Sequence, residues 1–155
     1  RFLSAIITLN LIAPLYVAQA ANDVMQQQDG GGSIVNISSV NGTKASPGVA
    51  AYGAAKAGLL NLTESLAAEW GPKVRVNAVT AGLIGTEEIF ATHYGNDTAR
   101  IAAMQAEVPL GRFTTPADVA SACLFLASPL AAQVSGANLL VHGGGEPSGT
   151  LPERP

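Results

Sequence analysis

Gly32-Ser33-Ile34-Val35-Asn36-Ile37-Ser38-Ser39 is the stretch on which the fold turns. Within it Ser33 to Ser38 is short, apolar, rich in β-branched residues and free of charge, the composition of a parallel strand covered on both faces. Working outward, residues 2 to about 28 read as a helix stopped by Gly30-Gly31-Gly32. On the other side, Pro47-Gly48 precede a long Ala/Leu-rich helix that ends at Gly71-Pro72. Val74 to Val79 is a second strand and Asn138 to His142 a third. Glu87 to Tyr94 and Asp97 to Glu107 read as short helices within an insertion. Thr115-Pro116-Ala117-Asp118 supplies an N-cap, an N1 proline and an acidic N3 for a helix reaching about Ala127. Strands alternating with helices at these lengths predict an α/β protein built on a parallel sheet.

The chemistry lies just downstream of the opening strand. Tyr52 and Lys56 fall four apart on the long helix and share one face. A free phenol is a poor acid–base group at neutral pH, and a fixed positive charge beside it favours the phenolate. Ser39 adds a hydroxyl that can hold a carbonyl oxygen. Such a set suits proton transfer to or from a carbonyl or an alcohol. The plainer reading is an amphipathic helix with an exposed lysine.

Against that plainer reading, the segment from Gly32 to Ser39, followed by Ala51-Tyr52-Gly53-Ala54-Ala55-Lys56, resembles the catalytic core of the short-chain dehydrogenase/reductase family. Val74-Arg75-Val76-Asn77-Ala78-Val79, Pro109-Leu110-Gly111-Arg112-Phe113 and Leu140-Val141-His142-Gly143-Gly144 look like the same family, so the likeness runs from about residue 5 to 145. It implies a Rossmann-type doubly wound sheet of which this chain holds the C-terminal half, the last three strands and their helices. The glycine-rich fingerprint after an opening strand is not found, nor an acidic residue placed for an adenosine ribose. The expected domain is residues 1–145, with a substrate lid at about 85–112 and a loose tail at 146–155.

The resemblance also assigns roles. Tyr52 would donate a proton to a substrate carbonyl, or accept it back in oxidation. Lys56 would hold the ribose hydroxyls next to the nicotinamide and tune the tyrosine, and Ser39 would hydrogen-bond the substrate oxygen. Ser38 is set aside because strand alternation points the two serines oppositely and only Ser39 has the family's spacing to Tyr52. Asn10 matches the family's fourth catalytic residue, in a water-linked proton relay to the lysine. Pro14, lacking an N–H, deprives the Asn10 carbonyl of its helical donor and gives that water a physical reason; a simple helix kink is the other reading. Ala81, Gly82, Ile84 and Thr86 follow the second strand at its carboxyl end, where open α/β sheets bind ligands. Tyr52, Lys56 and these four residues are the expected contacts to NAD or NADP, with Ala81 standing where the family carries proline. Phe90, Tyr94, Ile101 and Met104 line an apolar substrate pocket or form the lid's inner face. The expected partners are a small carbonyl or alcohol substrate and further copies of the chain. Gly53, Ala54, Ala57, Gly58 and Ala67 permit close helix packing, between subunits or onto the chain's own sheet.

Composition narrows the remaining classes. The net charge of −3 without a basic run argues against nucleic acid and anionic membrane surfaces as partners. Cys123 is alone, so no intrachain disulfide forms, and it reads as a small core residue. His93 and His142 have no ligand-like companions, and no metal site is expected. The apolar run from Phe2 to Val17, followed by Ala18-Gln19-Ala20, imitates a signal peptide. Asn10 and Pro14 interrupt it and count against both secretion and a membrane span, which leaves a cytoplasmic enzyme as the expectation. The rival is a catalytically incomplete fragment or a non-enzymatic oligomerising protein.

Overall fold

A computed structural model describes residues 2–145; the expected tail at 146–155 lies outside the described residues. The helices are α1 (Phe2–Ile7), α2 (Ala13–Met25), α3 (Ala50–Trp70), α4 (Glu87–Tyr94), α5 (Thr98–Glu107) and α6 (Pro116–Ala127). The strands are β1 (Gly32–Ser39), β2 (Val74–Ala81) and β3 (Asn138–Val141), in the spatial order β1-β2-β3. Both pairings are parallel, with Gly32 opposite Val74, Ser39 opposite Ala81, and Ala78 opposite Asn138.

β2 is the spine. Val76, Asn77, Ala78, Val79 and Thr80 are fully buried, because helices cover both faces of the strand. On one face Val74 and Val76 pack with Ala18 and Leu66, flanked by Leu15, Met25 and Ile34. On the other, Val79 packs with Leu126 and Ala131 beside Val35, Leu139 and Cys123. Cys123 is thus a packing residue, and burial raises its thiol pKa, away from the reactive thiolate. The polar side chains fully buried on β2, Asn77 and Thr80, are paired. Asn77 donates to the Val134 carbonyl at 2.8 Å and accepts from the Ala137 N–H at 3.0 Å, which fixes the entry into β3. Arg75 donates to the Leu126 and Ser128 carbonyls at the end of α6, where a cation complements the helix dipole.

The expected single helix over residues 2–28 is interrupted. Thr8–Ile12 forms a π turn, with the Ala13 N–H bonded to the Thr8 carbonyl, and the helix ends at Met25. Pro14 supplies the cause: its ring crowds the carbonyl four residues back and it has no N–H to give. Widening the turn by one residue accommodates both. By length and composition the helical segment Phe2–Met25 could cross a membrane, with a mean hydropathy of 1.6, so the interruptions do not remove that reading. Within the fold the segment serves as a sheet cover, with Ala18 buried and Leu15 and Met25 on the core. Among the described residues β1 pairs with β2 alone, and an apolar groove lined by Pro14, Val17, Ala21, Ile34 and Ile37 runs beside it.

Candidate active site

The carboxyl ends of β1 and β2 open into a cavity of about 350 Å³. Ser39 arrives as the last residue of β1, and Tyr52 and Lys56 come from the first two turns of α3. β1 is tied to that helix from beneath. The Asn36 carboxamide donates to the Thr63 hydroxyl at 2.9 Å in the buried interface. Ser38 points the same way, its hydroxyl donating to the Lys56 carbonyl at 3.2 Å. Gly53 lets the helix seat closely, since a Cβ there would stand 2.8 Å from the Asn41 carbonyl oxygen.

Two neighbouring serines therefore do different jobs. Ser38 is buried and its proton is committed to the helix backbone. Ser39 accepts from the Asn41 N–H at 3.3 Å through its oxygen, which leaves its proton to donate to a ligand in the cavity. Lys56 Nζ lies 5.6 Å from the centre of the Tyr52 ring and donates to the Ile37 carbonyl at 2.9 Å. Partial burial disfavours its charge and lowers its pKa from the ordinary lysine value.

The other expected residues divide. Ala81, Gly82 and Ile84 line the cavity. Gly82 N–H is held by the Val141 carbonyl and Gly85 N–H by the Thr114 carbonyl. Ile84 forms a parallel bridge with Thr114, which sets its backbone at the cavity wall. Those backbone groups, with the Lys56 ammonium and the Tyr52 hydroxyl, are the donor and acceptor set a nicotinamide ribose and carboxamide require. The group fits this half of its site, while the described residues contain no glycine-rich diphosphate cradle. Thr86 is not part of the lining; its hydroxyl oxygen caps α4 by accepting from the Ile89 N–H at 3.3 Å. Asn10 sits in the π turn, also outside the lining, and its carboxamide donates to the Ile6 carbonyl at 3.1 Å. Leu11, next to it, packs against Gly58 of α3.

The lid resolves the two readings of its apolar residues. Tyr94 and Met104 are buried with Val108 and Phe113, with Phe90 and Ile101 packed around them, so they form the lid's inner core. Tyr94 also reaches the cavity wall, together with Ile89 and His93. His93 escaped the sequence reading because a search for metal-ligand companions dismissed it. The usable signal was its spacing from Ile89, four residues on and on the same helix face.

Comparison with known proteins agrees with this geometry. A family model described as enoyl-(acyl carrier protein) reductase matches residues 2–146. The chain is 46% identical over 114 residues to the 3-oxoacyl-[acyl-carrier-protein] reductase FabG of Vibrio cholerae, covering 73% of this chain and 45% of that protein. It is 38% identical over 139 residues to a D-threitol dehydrogenase of Mycolicibacterium smegmatis, covering 89% and 52%. An NADPH-bound short-chain oxidoreductase structure from Pseudomonas aeruginosa superimposes with a TM-score of 0.81 at 32% identity, covering 92% of this chain and 56% of that one. The chain spans about half the length of the curated relatives it matches. Strand order, the Ser39–Tyr52–Lys56 cavity and these likenesses converge: the chain belongs to the short-chain dehydrogenase/reductase family.

Proposed function

We propose that the protein containing this chain interconverts a ketone and a secondary alcohol with NAD or NADP, and that this chain is the C-terminal half of its subunit. The observation that carries the proposal is the meeting of Ser39, Tyr52 and Lys56 in one cavity at the strand ends. Bound nicotinamide supplies the hydride chemistry. Ser39 donates its free proton to the substrate oxygen and orients it. Tyr52 gives a proton to that oxygen in reduction and takes it back in oxidation, while the Lys56 ammonium stabilises the phenolate form. For Lys56 also to hold ribose hydroxyls, it exchanges the Ile37 carbonyl for them. Ile84 backbone binds the carboxamide, with Ala81 and Gly82 shaping the wall and the Thr86 hydroxyl proton still available as a donor. Asn10 is linked to Lys56 through a bridging water. The relatives' names range from a 3-oxoacyl thioester reductase to a tetritol dehydrogenase, which supports the reaction type and leaves the substrate class to the lid.

The same reading includes a homo-oligomer in the cytoplasm. Exposed Phe2, Leu9 and Tyr16 on the first helical segment, and exposed Ala54 and Ala57 on α3, support packing between copies. The decisive test is Tyr52→Phe in the full-length protein, which keeps the ring and removes the proton. Turnover should fall by orders of magnitude while NADH or NADPH affinity, read by fluorescence titration, persists. Near-normal turnover would reject the assignment.

A further inference from the structure

The lid places one polar side chain on the cavity wall that the proton-transfer scheme leaves unused. His93 follows Ile89 by one helical turn on α4, and both line the cavity shared with Ser39, Tyr52 and Lys56. Its Nδ1 lies 2.8 Å from the Thr92 hydroxyl oxygen. That hydroxyl has a single proton and stands 2.7 Å from the Glu88 carbonyl, which can only accept. The Thr92 proton therefore goes to Glu88, and the imidazole must donate from Nδ1. In the neutral ring this leaves Nε2 as an acceptor. Nε2 makes no hydrogen bond to another described residue.

Around it the wall is largely apolar, with Val40, Leu83, Ile84 and Ile89, and with Asn41 and Tyr94 as its other polar side chains. Phe90, Ile101 and Met104, which could have extended it into a channel for a long hydrocarbon, are used in the lid's own core. The cavity of about 350 Å³ formed by the described residues falls within the small-molecule range of roughly 300–1,000 Å³, and the nicotinamide must share it. A short substrate reaching from Ser39 to the lid thus meets the Nε2 lone pair of His93 among mostly apolar side chains. A methylene laid over Nε2 strips its water and returns nothing, whereas a hydroxyl donates into it.

We propose that His93 selects small polyol-like substrates carrying a second hydroxyl beyond the one that reacts, with Thr92 as the positioning residue that fixes the ring's tautomer. The proposal rests on the reading of Ser39 and Tyr52 as the reacting centre.

The test uses the full-length protein with its preferred nicotinamide cofactor and three substrates of one carbon skeleton: a vicinal four-carbon diol, the corresponding mono-alcohol and the corresponding 3-hydroxy acid. The diol should exceed the mono-alcohol in kcat/KM by about tenfold or more. His93→Phe should bring the two within about threefold, chiefly through the KM of the diol, and His93→Gln should recover part of the preference by restoring an acceptor. Thr92→Val should lose less than His93→Phe. An unchanged ratio in His93→Phe, or a preference for the hydroxy acid that His93→Phe abolishes, would overturn the proposal. Should His93→Phe fail to fold, His93→Gln and Thr92→Val carry the comparison. Binding is read independently in a Tyr52→Phe background by nitrogen NMR of the His93 ring. Nε2 should respond to the diol and not to the mono-alcohol. That response without turnover in the parent enzyme would retain His93 and reject the Tyr52 reading; turnover without the response would do the reverse.

Discussion

The β1–α3 wall of the cavity and the α4–α5 lid opposite it differ in where their polar bonds go. On the wall, bonds join distant parts of the chain: Asn36 to Thr63, Ser38 to the Lys56 carbonyl, Lys56 to the Ile37 carbonyl. In the lid they are local. Thr86 and Asp97 cap the helices that follow them, and Thr92 bonds back to Glu88. The lid also has its own apolar cluster, centred on Tyr94, Met104, Val108 and Phe113. Backbone bonds tie down its two ends, Gly85 N–H to the Thr114 carbonyl and Leu110 N–H to the carbonyl of Gly143, just past β3. The proposed reacting groups are thus held by the global fold, while the α4–α5 segment, bonded mostly within itself, can open locally.

The comparison can be broken at several points. The largest effect concerns the wall's dependence on long-range pairing. Residues 1–155 expressed alone expose the free edge of β1 and the groove beside it. Sedimentation should show aggregation, and titration should show no ordinary affinity for NADH or NADPH. A monodisperse species with micromolar cofactor affinity would refute this.

Next come paired core truncations in the full-length protein. Leu59→Ala on α3 and Met104→Ala on α5 each remove a buried side chain, for about 2–5 kcal/mol. Leu59→Ala should lower the global unfolding midpoint. Met104→Ala should instead raise amide exchange over residues 87–107 while β1 and β2 amides keep their protection. Equal loss of protection in β1 would mean that the lid is not a separate unit.

Smaller still is the contrast between adjacent serines. Ser39→Ala should reduce the chemical step by one to two orders of magnitude, on the scale of a lost positioning donor. Ser38→Ala should act mainly on stability, by about 1 kcal/mol. The reverse order would show that the strand presents the other serine to the substrate.

The smallest effect lies outside both regions, at the start of α6. Arg112 holds Asp118 through two bonds of 2.6 and 2.8 Å, and Thr115 adds its N–H and hydroxyl. These bonds keep the carboxyl well below the ordinary carboxylate range. The stabilisation is present above the unfolded-state value and is lost as pH falls from about 4 toward the lower folded-state value. Thermal midpoints should therefore decline more steeply with acid in the parent than in Asp118→Asn, and parallel curves would contradict the assignment.

Much of this was legible because the signals were local. The Thr115-Pro116-Ala117-Asp118 run spelled a capping box, and the structure builds it with both reciprocal bonds. The β-branched run at Ser33–Ser38 became β1 with one residue added at each end. That the two serines point differently followed from strand alternation; the choice of Ser39 rested on its spacing to Tyr52 in the family. What stayed hidden depends on packing. Thr86 was read as a ligand donor, whereas a threonine before an acidic helical turn is also an N-cap, and that local role claims its oxygen. The lid's apolar residues could face either way until their neighbours were known. The consequence of Pro14 was foreseen as a freed carbonyl, but the backbone's answer, a widened turn, is not encoded in any single residue.

That widened turn works as a phase shifter. An added residue advances everything after it by about 100° around a helix axis. The segment from Phe2 to Met25 is therefore one rod in outline and two in phase, with α1 resting on α3 and α2 reaching β1. Without the offset, Leu15 and Met25 would be aimed away from Val74 and Val76, the neighbours they cover. A one-residue deletion between Thr8 and Ile12 would leave the rod almost as long and as apolar as before, yet unseat its second half from the sheet.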